Sequence, residues 1–255
     1  MKNAILRIFL LVAMLAAAML AVFVPQTAQA ADVAALVGNA DQARGGGFPG
    51  LIWDVHAVSV GAPGDDPIPD YRLRVKATRM ASLAEILEPA NSKGGKMLQI
   101  DRNMWMTKPN LKKPVAISPR MRLTGQAAIG DIAATNYTQD YAARLVREEA
   151  CGDETCHVLE LTANTKRSTY DRITYWISKS RGLAVQAEFL TPSGKLLKSA
   201  RFEYDNTIAV QGKKIAFMSR MIITDALSDA HTTLTYSNVR VQEIAAAEFD
   251  VANLQ

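Results

Sequence analysis

From Leu51 onward apolar and polar residues alternate with a period of two, the pattern of strands with one buried and one wetted face. Leu73, Val75 and Ala77 alternate with Arg72, Arg74 and Lys76. Carried on, the same count places Leu98, Ile100, Met104 and Met106 opposite Gln99, Asp101, Asn103 and Trp105, after which Pro109 and Pro114 bracket a turn. Strand-like runs continue as Tyr141 to Glu148, His157 to Ala163, Arg172 to Ser178, Leu183 to Thr191, Leu197 to Tyr204, Lys214 to Ile223 and Thr232 to Val241, each bounded by polar or glycine turns. Sequential runs of this kind predict an antiparallel meander that curls into a barrel or a deeply curved sheet, a mainly β fold with short helices. Helical patterning is confined to three places. Residues 31 to 44 predict a short amphipathic helix carrying Val33, Leu36 and Val37 and stopping at Gly45-Gly46-Gly47. The insertion Gly130 to Asp140 has few strand formers, and Ala247 to Leu254 predicts a closing turn of helix.

The first thirty residues follow a different rule. Lys2 and Arg7 precede an apolar run from Ile8 to Val24, and Ala28-Gln29-Ala30 follows Pro25, which predicts a secretory signal peptide over residues 1–30, cleaved after Ala30. The rival reading is an uncleaved anchor, because the apolar run is just long enough to cross a bilayer; the small-residue site and Pro25 favour cleavage. No cysteine follows Ala30, so a lipoprotein anchor is not expected. Residues 31–255 then form one domain in an extracytoplasmic space. At 49% hydrophobic, 21% charged and 7% aromatic the chain is neither disordered nor a multi-span membrane protein. The net charge of +4 is lower once Lys2 and Arg7 are set aside, and the bases are interspersed with acids, so nucleic acid is not an expected partner.

Two cysteines, Cys151 and Cys156, flank Gly152-Asp153-Glu154-Thr155 between two strand-like runs, and in an oxidising compartment they should form a local disulfide clasping a hairpin. A redox pair is the alternative, but the spacing is not C-x-x-C and no helix start follows. Other chemistry is sparse. His56, His157 and His231 stand far apart with no second ligand at metal spacing, and no nucleophile elbow, zinc-protease motif or phosphate loop occurs; Gly94-Gly95-Lys96 is followed by Met97. No catalytic residue, metal or cofactor is expected. Acid pairs such as Asp65-Asp66 lie in turns, where solvated carboxylates are the rule.

The apolar inventory is soft. Of ten methionines, Met104, Met106, Met218 and Met221 fall within strand runs, and methionine adapts to irregular partners. They fill a barrel core or line a cavity. A curved sheet plugged by a short helix can hold acyl chains at about 0.8 kcal/mol per buried CH2.

The segment Asp101-Arg102-Asn103-Met104-Trp105-Met106, then Pro109-Asn110-Leu111-Lys112-Lys113-Pro114, Ile117-Ser118, Gly125-Gln126 and Asp131, resembles the outer-membrane lipoprotein-sorting protein family, a LolA-like group. The resemblance continues through Tyr170-Asp171-Arg172-Ile173, Tyr175-Trp176, Ser193-Gly194-Lys195 and Asp225, and covers Tyr71 to Gln255. It implies an incomplete, strongly curved antiparallel β-barrel closed by helices, whose hydrophobic cavity receives lipid or lipoprotein acyl chains in the periplasm of a Gram-negative bacterium. Transient contact with a membrane surface, and an inner-membrane transporter or outer-membrane acceptor as partner, would follow.

Candidates for the cavity lining are Ile100, Met104, Trp105, Met106, Tyr175, Phe189, Phe217 and Met221. Trp105 stands either in the cavity or on the outer face under a loop or terminal helix, and Trp176, opposite Ile173, Tyr175 and Ile177, has the same two options. Arg102, placed with Ile100 and Met104, contacts a lid's carbonyls or a lipid phosphate at the mouth, or pairs with a neighbouring Asp. Three function classes fit: an acyl-chain carrier working by reversible burial, an accessory or sensor subunit using the sheet for docking, and a hydrolase assembled on a barrel. Lys108, Lys112 and Lys113 would steer a carrier toward anionic headgroups, or simply solvate a turn.

Overall fold

A computed structural model describes residues 26–210 and 212–254. The leader expected over residues 1–30 lies outside the described residues as far as residue 25. Its last described residues begin helix α1 (Gln26–Gln42), which runs unbroken into the helix expected from residue 31.

The chain then forms β1 (Leu51–Val60), β2 (Tyr71–Ala77), β3 (Ala81–Glu88), β4 (Lys96–Ile100), β5 (Asn103–Thr107) and β6 (Val115–Ile117), an antiparallel meander. A connecting segment follows with the small hairpin β7 (Arg122–Thr124) and β8 (Ala127–Ala128) and the single-turn helices α2 (Ile129–Ile132) and α3 (Tyr137–Asp140). The second half comprises β9 (Tyr141–Cys151), β10 (Glu154–Ala163), β11 (Arg172–Ser178), β12 (Ala184–Leu190), β13 (Leu196–Glu203), β14 (Asn206–Val210), β15 (Lys213–Phe217), β16 (Arg220–Asp225) and β17 (His231–Val241). Thirteen of these strands share one sheet in the order β6-β5-β4-β3-β2-β1-β17-β16-β13-β12-β11-β10-β9. The sheet is strongly curved but not closed, because β6 and β9 each keep a free edge.

Alternation sets the two faces. In β2, Leu73, Val75 and Ala77 are buried on the concave side, while Arg74 on the other face pairs with Asp54 at 2.8 Å. The concave face is the main core. It gathers Trp53, Val55, Leu73, Met97, Leu161, Tyr175, Phe189, Phe217 and Met221 with Val33, Val37 and Ala40 of α1, so the helix plugs the curve of the sheet. On the convex face the closing 3-10 turns at Ala246–Phe249 and Val251–Asn253 cover β3 to β5, where Phe249 and Leu254 pack with Leu98. A second convex cluster holds Cys156, Val158 and Trp176 against Cys151. Cys151 and Cys156 form the expected disulfide across the β9–β10 turn, with Cα atoms 5.9 Å apart.

The run expected as one strand from Lys214 to Ile223 is two. Met218 and Ser219 interrupt it because their backbone is engaged elsewhere: the Met218 amide donates to the Ala43 carbonyl at 2.9 Å, and Ser219 donates to Glu203 at 2.7 Å. Asn206 ties the break down by donating from Nδ2 to the Met218 and Tyr236 carbonyls. β15 therefore leaves the main sheet and pairs with β14 as a separate hairpin beside β17.

Candidate functional site

The site is built from three parts: the concave apolar face, α1 lying in it, and residues 118–140, which cross from the edge strand β6 to the edge strand β9. Among the described residues no other segment links the two free edges directly, so this stretch spans the opening that the sheet leaves.

Polar contacts hold the crossing segment at intervals. Arg120 makes a two-pronged bond to Asp171 at 2.8 and 2.7 Å and donates to the Ser168 carbonyl. Gln126 donates its backbone amide to Thr232 Oγ1 at 2.7 Å. Gly125 beside it has φ +45, and a Cβ there would lie 2.3 Å from the hydroxyls of both Ser59 and Thr232, so only glycine permits this approach. Asp131 accepts from the Ala128 amide and from the Tyr170 hydroxyl, and Lys198 lies 3.3 Å away over the Tyr170 ring. Burial and the adjacent Asp131 hold the Tyr170 hydroxyl well above the usual phenol range. The residues that carried the resemblance at Gly125-Gln126, Asp131 and Tyr170-Asp171 thus meet along one segment.

At its C-terminal end the segment is latched from both sides. Asp41, in the last turn of α1, accepts from the Tyr137 and Thr138 amides at 3.0 and 2.8 Å and from the Thr138 hydroxyl at 2.8 Å, capping α3 from a different element. Burial raises the Asp41 carboxyl to about 6 even though these three bonds act to lower it. From the other side Arg102 donates from Nε to Asp140 at 2.9 Å and from Nη2 to the Gln139 carbonyl at 2.6 Å. Arg102 thus pairs with an Asp and bonds a backbone carbonyl of the crossing segment. It sits in the β4–β5 turn and borders, with Met104, the space under the crossing segment.

The lining candidates divide between the two faces of the sheet. Met104, Tyr175, Phe189, Phe217 and Met221 lie together in the concave core, and Met106 packs against it half-buried. Ile100 and Trp105 lie in the convex cluster with Leu98, Phe249 and Leu254. The face expected from a continuous count fails at the turn: β4 and β5 pair Ile100 with Asn103, Gln99 with Met104 and Leu98 with Trp105, because only Asp101 and Arg102 separate them. Across a two-residue turn, partners that share a face differ in parity, so Leu98 and Ile100 join Trp105 while Met97 joins Met106. Trp176 is on the convex face, donating Nε1 to Glu149 at 2.6 Å.

Arg44 went unnoticed in the sequence and is at the centre of the concave side. It is 4% exposed, its guanidinium lies 5.0 Å from the Tyr137 ring centroid and 4.7 Å from that of Phe202, and Nη1 donates to the Tyr175 hydroxyl at 3.3 Å. The signal was available: Val33, Val37, Ala40 and Arg44 follow the i, i+4, i+7, i+11 spacing that puts all four on the buried face of α1 and its continuation.

Beneath the C-terminal part of the segment a space bordered by Met104, Tyr137 and Tyr141 is about 20 Å³, room for a water molecule but not for an acyl chain. Outside it, a cleft of about 560 Å³ opens between Arg102, Asn103, Asp140, Lys166 and Arg167. Among the described residues no group of His, Cys, Asp or Glu is arranged to hold a metal, and no helix is long and apolar enough to cross a membrane.

Comparison with known proteins agrees with this geometry. A family model described as uncharacterized protein-like matches residues 79–255, and no curated protein matches. A LolA superfamily protein from Nitrosomonas europaea is 32% identical over 86% of this chain and 97% of its own, with a TM-score of 0.75. A domain named for outer membrane lipoprotein sorting from Vibrio parahaemolyticus is 20% identical over 88% of this chain and 99% of its own, with a TM-score of 0.73. A DUF1329 family protein from Desulfovibrio piger shares the fold at 20% identity over 89% and 99%, also with a TM-score of 0.73. With a curved open sheet, a helix seated in it and a segment crossing its mouth, the chain belongs to the LolA superfamily.

Proposed function

We propose that the protein is a carrier that takes up acyl chains of a lipid or lipoprotein on its concave face and hands them on toward the outer membrane. It works by reversible burial and makes or breaks no covalent bond. The observation that carries this reading is the crossing segment, a closure over an apolar face that is latched at its C-terminal end by side chains of Asp41 and Arg102. Hydrogen bonds of this kind each contribute about 1 kcal/mol net, so such a latch can open and re-form. Displacing α1 or the segment would expose Met104, Met221, Phe217 and their neighbours to a chain, which gains about 0.8 kcal/mol per CH2 removed from water. The likeness to a LolA superfamily protein and to a lipoprotein-sorting domain supports the same reading. On this account the chain is exported by cleavage after Ala30, residues 31–255 act in the periplasm, and an inner-membrane donor and an outer-membrane acceptor are its partners. Contact with a membrane surface is transient.

A second reading, an accessory or sensor subunit that uses the sheet for docking, draws on the tight packing beneath the C-terminal part of the segment, where the space bordered by Met104, Tyr137 and Tyr141 has room for a water only. Native mass spectrometry and lipid extraction of the protein, purified gently from cells, separate the two. Co-purifying phospholipid or acylated peptide that a fatty-acyl probe displaces is the carrier result. A protein that carries nothing and ignores the probe puts the docking reading first.

A further inference from the structure

The concave interior holds a guanidinium, that of Arg44, with no carboxylate at ion-pair distance among the described residues. Arg44 is buried, its guanidinium is enclosed by the Tyr137 and Phe202 rings, and it donates to the Tyr175 hydroxyl and bonds that of Tyr137, while among the described residues its Nε has no partner. A guanidinium remains protonated in proteins, and removing it from water without an anion is among the costliest things a fold can do. Asp41, one turn earlier, feels its field but is occupied by Tyr137 and Thr138 of the closing segment.

The surroundings share one chemical sense. The hydroxyls of Tyr204 and Tyr236 and the indole Nε1 of Trp53 are also buried without partners among the described residues. The charge of Arg44 reaches both hydroxyls, and the backbone next to Arg44 lies on the Trp53 ring, where a Cβ on Gly45 would be 3.0 Å from Cη2. Arg Nε and Trp Nε1 can only donate, and a tyrosine hydroxyl donates readily. A set of donors around a cation suits an oxygen-rich anion. The apolar wall beside it, from Phe217 and Met221 to Phe189, suits a hydrocarbon tail.

We infer that the ligand of this concave face is an anionic amphiphile, whose carboxylate or phosphate seats against Arg44 with help from Tyr204, Tyr236 and Trp53. This rests on the carrier reading and narrows it: acyl chains bearing an acid group are preferred over neutral ones of the same length.

The test uses the full chain as cells produce it and a fluorescent acyl probe, displaced in turn by a long-chain fatty acid, its methyl ester, a lysophosphatidic acid of equal chain length and inorganic phosphate. The acid is expected to bind at least about tenfold tighter than the ester, the order of a charge-assisted hydrogen bond. In Arg44→Met the difference should fall below about twofold with ester binding retained, while Arg44→Lys, which keeps the charge, retains a preference. The fatty acid and lysophosphatidic acid arms report which headgroup fits better. Equal binding of acid and ester by the unaltered protein overturns the inference and leaves the carrier reading standing, and this comparison holds even if Arg44→Met does not fold. Displacement by inorganic phosphate alone, or an acid preference that survives in Arg44→Met, also overturns it. Failure of every acyl compound to bind overturns the carrier reading itself.

Discussion

Asp41 links the plug helix to the closing segment, and its ionisation gives that link a pH dependence whose sign is fixed. Burial raises its pKa from 3.8 to about 6. Exposed in the unfolded chain, the same group ionises near 3.8, so between these values the folded form binds the extra proton. Its ionised form therefore weighs against the fold above pH 6, the penalty is relieved as pH falls through 6, and relief is complete below 3.8. The full span is about two units, or about 3 kcal/mol at 1.36 kcal/mol per unit. Between pH 7.5 and pH 5 roughly one unit is recovered, about 1.4 kcal/mol. Asp41→Asn removes the titration and keeps the shape. Its amide nitrogen would face the Thr138 amide, costing about 1–2 kcal/mol at every pH. Urea unfolding of both proteins at pH 7.5, 6 and 5 isolates the group, because every other titrating residue, Asp140 included, is common to both. Relative to Asp41→Asn, the unaltered protein should gain about 1.4 kcal/mol over this interval. Amide exchange at Tyr137 and Thr138, corrected for its intrinsic pH dependence, should slow in parallel. A stability difference that stays constant with pH, or one that moves the other way, refutes the reasoning.

Three further outcomes follow from the geometry. Arg102→Ala removes the outer latch at Asp140 and Gln139; discounted for its partial exposure, the loss is about 1 kcal/mol, and hydrogen exchange over 137–140 should quicken about fivefold without loss of the fold. Replacing both Cys151 and Cys156 by Ser should lower unfolding stability by no more than about 2 kcal/mol, since the loop is short, and leave acyl-probe binding unchanged, since the bridge lies on the convex face. Trp105→Ala should cost about 3 kcal/mol or more in a thermal or urea melt by opening the cluster under Phe249 and Leu254, again with probe binding retained; loss of binding in the folded variant would place Trp105 on the wrong face here.

Where a strand was long and uninterrupted, its faces could be read directly: Leu73, Val75 and Ala77 of β2 point inward and Arg74 outward. Reading failed where the backbone changed phase. A two-residue turn at Asp101-Arg102 exchanges the parity of β5 against β4, so Leu98 and Ile100 part from Met104 and Met106 and join Trp105, which a continuous count along the chain does not signal. At Met218 the interruption comes from a hydrogen bond to Ala43, a partner 175 positions away in the chain and thus invisible to a local pattern. The disulfide and the closing 3-10 turns were legible because each is local. The crossing segment showed only as a stretch poor in strand formers. Its role depends on which strands end up as the free edges, and that follows from β1 pairing with β17, the last strand of the sheet. Arg44 was the converse case, legible from its helical spacing, where a charge on an apolar face is the kind of conflict between local and global preference expected at a functional position.

The central claim is that an acyl chain enters the concave side beneath the segment that joins the sheet's two free edges. Methyl-labelled methionine NMR with a spin-labelled acyl chain tests it most directly, because the methionines report from both inside and outside. Met97, Met104, Met218 and Met221 are in the concave core, whereas Met80 is 55% exposed and Met121 is also on the surface. The account predicts that the probe broadens the four core methyls and leaves Met80 and Met121 sharp. Broadening confined to Met80 or Met121, or no broadening at saturating probe, would contradict it.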